Sequence, residues 1–160
     1  MPIRTGRAFL DSLRDDRQIW IDGERVANVV TDRRFAAAAE TLADLYDMQH
    51  EPSLLERMTY LAPGSSDRIG LSFIQPQSID DLIRRREMVK VWMDATCGMF
   101  GRSPDFLNIT LTGFASAHNT FGKFAANMWN YYTYARDSDI VMTHTLVNPQ
   151  VDRSRPVEQQ

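Results

Sequence analysis

The chain has 160 residues, 43% of them apolar and 24% charged, a balance that argues against disorder and gives enough length for one core. Its 18 basic and 21 acidic residues leave a net charge of -3, and no basic stripe is present to track phosphates, which argues against nucleic acid as a ligand. The single cysteine, Cys97, excludes an internal disulfide and an all-cysteine metal centre, while the charged start Met1 to Arg7 and the lack of about 18 uninterrupted apolar residues point away from secretion and membrane insertion and toward the cytosol.

Residues 5–14 place Phe9, Leu10 and Leu13 on one side of a short amphipathic helix, which the charged run Arg14-Asp15-Asp16-Arg17 ends. Ile19-Trp20-Ile21, Asp22-Gly23 and Glu24-Arg25-Val26 read as a β-hairpin, because Asp-Gly tolerates the positive φ of a two-residue turn. Thr31 is a candidate cap for a helix in which Phe35, Ala38, Leu42 and Leu45 form one apolar stripe. Pro52 and Pro63-Gly64 break the chain on either side of Leu54, Leu55 and Met58. Ile69 to Ile74 reads as extended and is closed by Pro76.

The clearest helix spans 79–97, with Ser78 as cap, Asp81 three residues on, and Ile79, Leu82, Ile83, Val89 and Trp92 as its buried side. On this face Cys97 reads as a buried small hydrophobe before Gly98 stops the helix. Ser103 and Pro104 then suit the cap and first position of a further helix, with Leu107, Leu111 and Phe114 facing inward. Phe121, Phe124, Met128, Trp129 and Tyr132 continue the helical period toward Arg136. After Asp137-Ser138, the run Ile140 to Val147 is rich in β-branched residues and reads as a strand bounded by Asn148-Pro149. Val151 to Gln160 has no core pattern or stop signal, so the chain reads as stopping within a larger protein.

His50, His118 and His144 have no metal-ligand spacing, and structural or solvent-facing roles suit the first two. The glycines form no phosphate loop. Arg102 stands just before a candidate helix start, where backbone N–H groups and the dipole favour an anionic or phenolate-like oxygen, and Phe106 lies four residues on. The competing reading pairs Arg102 with Asp105 and puts Phe106 in the core. His144 sits on the strand-like segment and is either a hydrogen-bonded core residue or a proton exchanger near neutral pH.

Several blocks in order carry a resemblance: Arg4-Thr5-Gly6, Trp20 to Val26, Leu45-Tyr46-Asp47, Gly101-Arg102-Ser103-Pro104-Asp105 and His144 to Ser154. At these residues the chain resembles the oxygenase component of the two-component 4-hydroxyphenylacetate 3-monooxygenase family. The resemblance implies a mainly α fold, the helical N-terminal domain of an acyl-CoA-dehydrogenase-like flavoprotein, over residues 1–138. Residues 139–160 would then begin a middle β domain. It further implies ortho-hydroxylation of a phenol with oxygen and reduced FAD supplied by a separate reductase, in a homotetramer.

By the same resemblance Arg102, position 106 and His144 hold the phenol oxygen, and His144, Thr145, Gln150, Arg153 and Ser154 contact the flavin. Phe106 departs from the family pattern, which has tyrosine there. The ring is kept, and a hydrogen bond worth about 0.5–1.5 kcal/mol is lost, which suits a less polar or halogenated phenol or a larger aromatic acid. Two alternatives stand beside this reading. One is a non-catalytic helical module that associates through exposed apolar faces. The other, a 4-hydroxybutyryl-CoA-dehydratase-like flavoprotein, is disfavoured because only Cys97 is present as a cluster ligand.

Overall fold

The computed structural model describes residues 3–99, 103–143, 152 and 154–159. The Thr5 hydroxyl accepts from the Ala8 N–H and starts α1 (Gly6–Ser12), whose Phe9 is buried. The hairpin forms as expected. β1 (Ile19–Ile21) pairs antiparallel with β2 (Glu24–Val26), and Asp22 and Gly23 in the turn take φ of 51° and 79°.

α2 (Ala36–Met48) begins after Phe35, not at Thr31. The intervening backbone is consumed by a turn, in which Thr31 and Asp32 donate to the Asn28 carbonyl and Phe35 and Ala36 to that of Asp32. The Asp32 carboxylate holds the Arg34 side chain and N–H, which pulls its pKa down to about 2. Side-chain competition of this kind delays a helix. The buried face is also rotated, because α2 is covered on two sides. Ala43 and Tyr46 meet Phe9, while Leu45 joins a second cluster and Ala38 stays exposed.

α1 approaches α2 through Gly6. A Cβ there would run into the Ala43 carbonyl and the Asp47 carboxylate, and the Gly6 N–H donates to Asp47 Oδ1 at 2.7 Å. The two sequence blocks Arg4-Thr5-Gly6 and Leu45-Tyr46-Asp47 are therefore one contact. Gly6→Ala is expected to destabilise the fold by about 1–3 kcal/mol through overpacking, measured by urea denaturation. A cost below about 0.5 kcal/mol, the scale of a neutral surface change, would contradict this packing.

α3 (Leu55–Met58) leads into a second hairpin that the sequence pattern did not reveal, β3 (Thr59–Leu61) antiparallel to β4 (Arg68–Gly70) across the Pro63-Gly64 loop. The expected extended run Ile69 to Ile74 is strand only as far as Gly70, and Leu71–Phe73 makes a 3-10 turn. This stretch is a wedge between two cores. Leu71 and Ile74 pack with Leu45, Met58, Met88, Val91 and Trp92, whereas Ile69 and Phe73 pack with Leu111, Ala115, Tyr132 and Ala135. Its carbonyls find side-chain donors in place of a ladder: the Tyr132 hydroxyl donates to Phe73 O at 2.7 Å and Thr112 to Ser72 O at 3.3 Å.

α4 (Ile79–Ala95) starts at Ser78, whose hydroxyl accepts from the Asp81 N–H. Its expected buried side is corrected. Ile79, Leu82 and Ile83 are 75%, 47% and 51% exposed, because the core reaches only Met88, Val91 and Trp92 in the C-terminal half. Cys97 is also exposed. The Gly98 N–H closes onto the Met93 carbonyl at 2.8 Å with Cys97 and Gly98 both at positive φ, and this Schellman-type closure lifts the thiol off the apolar face.

α5 (Asp105–Ser116) follows Pro104, but Ser103 does not cap it through its side chain, which turns toward Met93 Sδ. Phe114 is exposed, contrary to expectation, while Asn108, Leu111, Thr112 and Ala115 face inward. The buried side is half polar because it must supply donors to Ser72 of the wedge, through Asn108 Nδ2 at 3.2 Å and Thr112. The period expected from Phe121 is broken at Gly122, φ 54°, so a 3-10 segment His118–Phe124 precedes α6 (Ala125–Asp137). Phe121 and Phe124 stay exposed, and Tyr132 and Ala135 carry the packing. The His118 ring lies tilted against Trp129 with Nδ1 at 2.8 Å from the Ala115 carbonyl, and His50 Nε2 lies 2.9 Å from the Arg4 carbonyl, so both have structural roles. Ile140 to Thr143 forms no strand, and the rest of the expected strand, 144–147, lies outside the described residues.

Candidate functional site

Among the expected site residues, Arg102, His144, Thr145, Gln150 and Arg153 lie outside the described residues. Phe106 is on the first turn of α5 and 45% exposed. That removes the reading in which its ring is core. The Ser154 N–H and hydroxyl both donate to Asp152 Oδ1, at 3.0 and 2.6 Å, and these bonds lower the Asp152 pKa. The Ser154 proton is thus used locally, and its lone pairs stay available as acceptors.

A cleft of about 320 Å³ opens beside Phe106 in the chain. Leu107, Thr110, Leu111 and Phe114 of α5 form one wall, and Tyr131 of α6 with Met142 and Thr143 completes the lining. No charged side chain lines it among the described residues. Thr110 donates its hydroxyl to the Phe106 carbonyl at 3.1 Å, and the Tyr131 hydroxyl contacts Met142 Sδ at 3.7 Å, so these two hydroxyls are already engaged. Its size and lining suit one apolar ring. Leu107 follows Phe106 directly and Thr143 precedes His144, so the cleft is bounded in sequence by two of the three expected phenol-holding positions.

Met142 and Thr143 also border a larger groove of about 820 Å³, whose other walls include Phe9, Leu13, Leu42 and Tyr134. Met142 and Thr143 thus line both hollows. The sequence pattern did not identify Thr110, Phe114, Tyr131 or Met142 as cleft residues. Phe114 and Met142 carried the only available signal, an apolar side chain at the margin of a helical or extended period.

Residues 5–160 match the family model described as 4-hydroxyphenylacetate 3-hydroxylase N terminal. The chain belongs to this family. The 4-hydroxyphenylacetate 3-monooxygenase oxygenase component of Thermus thermophilus is 43% identical over 154 residues, which are 96% of this chain and 32% of the relative. The protein of the same description from a Geobacillus species is 39% identical over 165 residues, 100% of this chain and 33% of the relative. A crystal structure of the oxygenase component of 4-hydroxyphenylacetate 3-monooxygenase, complexed with FAD and 4-hydroxyphenylacetate, has a TM-score of 0.90 at 42% identity, over 98% of this chain and 33% of that one. The chain spans about a third of the length of the relatives it matches.

Proposed function

We propose that this chain is the N-terminal part of an oxygenase that hydroxylates a 4-hydroxyphenylacetate-like phenol ortho to its hydroxyl group, using oxygen and reduced FAD from a separate reductase. The observation that carries the reading is the cleft between α5 and Met142-Thr143, which no charged side chain lines among the described residues, set in sequence between Phe106 and His144. A neutral aromatic ring fits such a lining, and the ionic chemistry is left to the two ends. Arg102 would hold the developing phenolate oxygen, and His144 would share the phenol proton. The Phe106 ring would give apolar contact without a hydroxyl.

His144, Thr145, Gln150, Arg153 and Ser154 would hold the flavin. The acceptor lone pairs of Ser154 fit a cofactor that needs polar contacts at its rim. When bound, the flavin supplies the redox chemistry that activates oxygen. Residues 139–160 would begin a middle β domain, and the whole would be an acyl-CoA-dehydrogenase-like homotetramer in the cytosol. The exposed Ile79, Leu82 and Ile83 of α4 support further layers of protein over this face. The same face favours the second reading, a helical module without catalysis.

Anaerobic titration of the chain with reduced FAD, with oxidised FAD as control, separates the two readings when paired with turnover of phenols by the full-length protein. Saturable binding or catechol formation supports the oxygenase. Self-association with neither would favour the module. In the full-length protein Phe106→Tyr is expected to shift kcat/KM about two- to tenfold toward phenols whose oxygen reaches that position, the worth of one hydrogen bond. An unchanged substrate ranking would show that position 106 does not touch substrate.

A further inference from the structure

After α6 the chain turns through Asp139, held at φ 43°, a left-handed conformation that aspartate tolerates better than most residues. Its side chain is buried, and Oδ2 accepts from the Arg4 N–H at 3.0 Å and from Gln49 Nε2 at 3.2 Å. Its carbonyl accepts from the buried Tyr46 hydroxyl at 2.8 Å. One residue thus joins the start of the chain, the C-terminal end of α2 and the exit of α6. The neighbouring charges are the Arg4 guanidinium, which lies over the Phe9 and Tyr46 rings at 5.7 and 5.4 Å, and His50, held to the Arg4 carbonyl. Arg136 and Asp137 on α6 pair with each other. Gly70 leaves room for this cluster, because a Cβ there would stand 2.8 Å from Gln49 Oε1 and 3.4 Å from Asp139 Oδ1.

The segment beyond Asp139 has no strand partner among the described residues. Ile140 and Met142 pack against the Ile69 and Phe73 cluster, and Val141 against Phe9 and Tyr46. Met142 and Thr143 then become the cleft wall. The direction of this segment is set by its packing and by where Asp139 releases it.

We infer that Asp139 is a positioning residue, which clamps the exit of α6 to Arg4, Tyr46 and Gln49 and thereby sets the Met142-Thr143 wall of the cleft. The consequence for catalysis rests on the oxygenase reading; the clamp does not. Burial raises the Asp139 pKa above the usual aspartate value, against the opposing pull of the hydrogen bonds from Arg4 and Gln49 and the charges of Arg4 and His50. A raised pKa in the fold means that the neutral clamp is fully favourable below the ordinary aspartate range and weakens as pH rises through the shifted value.

The test uses the full-length protein and two variants. Asp139→Gly keeps the left-handed backbone and removes the carboxyl; Asp139→Asn keeps an acceptor and the shape without the charge. Hydrogen exchange of a peptide covering 140–143 is expected to accelerate at least tenfold in the glycine variant, with α4 unchanged. KM for the phenol rises at least fivefold, kcat stays within twofold, and the asparagine variant restores both. Loss of protection spread evenly over all helices, or no change at 140–143, would overturn the inference.

If the glycine variant does not fold, Tyr46→Phe removes the donor to the Asp139 carbonyl and keeps the ring; exchange at 140–143 is expected to accelerate severalfold with α4 unchanged, and unchanged exchange at 140–143 would overturn the inference. Absence of phenol turnover in wild type would sink the oxygenase reading and leave the exchange result to decide the clamp.

Discussion

Arg102→Ala in the full-length protein is expected to lower kcat/KM for phenol hydroxylation about 10²- to 10³-fold, the usual cost of removing one donor aimed at a developing oxyanion. The described part of the cleft explains why the loss should be large. Its walls offer Leu107, Leu111, Phe114 and Met142 and no charged group, and the Thr110 and Tyr131 hydroxyls are engaged. A phenolate oxygen finds no charged substitute there, and the low polarity strengthens whatever donor does reach it. Arginine stays protonated at every working pH, so the deficit should be constant with pH. His144→Ala should lower kcat/KM as well, by removing the group that would share the phenol proton. Arg102→Lys keeps the charge and loses the two-pronged geometry, and should fall between. Steady-state kinetics on several phenols checks all three, and an Arg102→Ala enzyme with unchanged turnover would remove Arg102 from the site.

Local chemistry is legible in the sequence wherever a few adjacent residues decide the outcome. Asp22-Gly23 can form a tight turn, Ser78 can cap α4, and Pro104 can open α5, and each does so in the fold. Burial is harder to read, because it depends on what stands opposite. The apolar stripe of α4 is real, yet its N-terminal half faces nothing within the described residues. The Thr31 cap loses to the Asn28 and Asp32 turn, a competition between two equally local patterns. The wedge Ile69 to Ile74 looks like a strand by composition and leaves the ladder after Gly70, where the Ser72 and Phe73 carbonyls take side-chain hydroxyls from α5 and α6.

The site divides in the same way. Arg102, Phe106 and His144 stand out as residue types in an ordered pattern. The residues that shape the cleft do not stand out. Tyr131 and Thr110 look like ordinary surface positions of amphipathic helices, and Met142 looks like one more apolar residue of an expected strand. Asp139 has the look of a loop residue after a helix, where an aspartate is usually solvated. Only the return of the chain to Arg4 and Gln49 turns it into a buried group.

Phe73→Ala should cost about 3–5 kcal/mol of stability, the range for deleting a fully buried aromatic ring, and this is a large share of the roughly 5–15 kcal/mol that holds a domain. The ring has no exposure and fills the space among Ile69, Leu111, Ala115, Tyr132 and Ala135, while its own carbonyl accepts from Tyr132 and Tyr60. Collapse of that space would move α5 against α6, and those two helices carry most of the cleft lining. Leu71→Ala supplies the control. Leu71 is equally buried, two residues away, but faces Leu45, Met58 and Trp92 on the other side of the wedge, and its truncation should cost a comparable 2–5 kcal/mol, roughly the range for a buried leucine. Urea denaturation of both variants measures the stabilities, and kinetics of the full-length forms measures the site. Phe73→Ala should raise KM for the phenol severalfold, and Leu71→Ala should leave it near wild type at a similar loss of stability. Equal effects on KM would mean that the wedge transmits strain through the whole fold and does not separate the cleft side from the α2–α4 core.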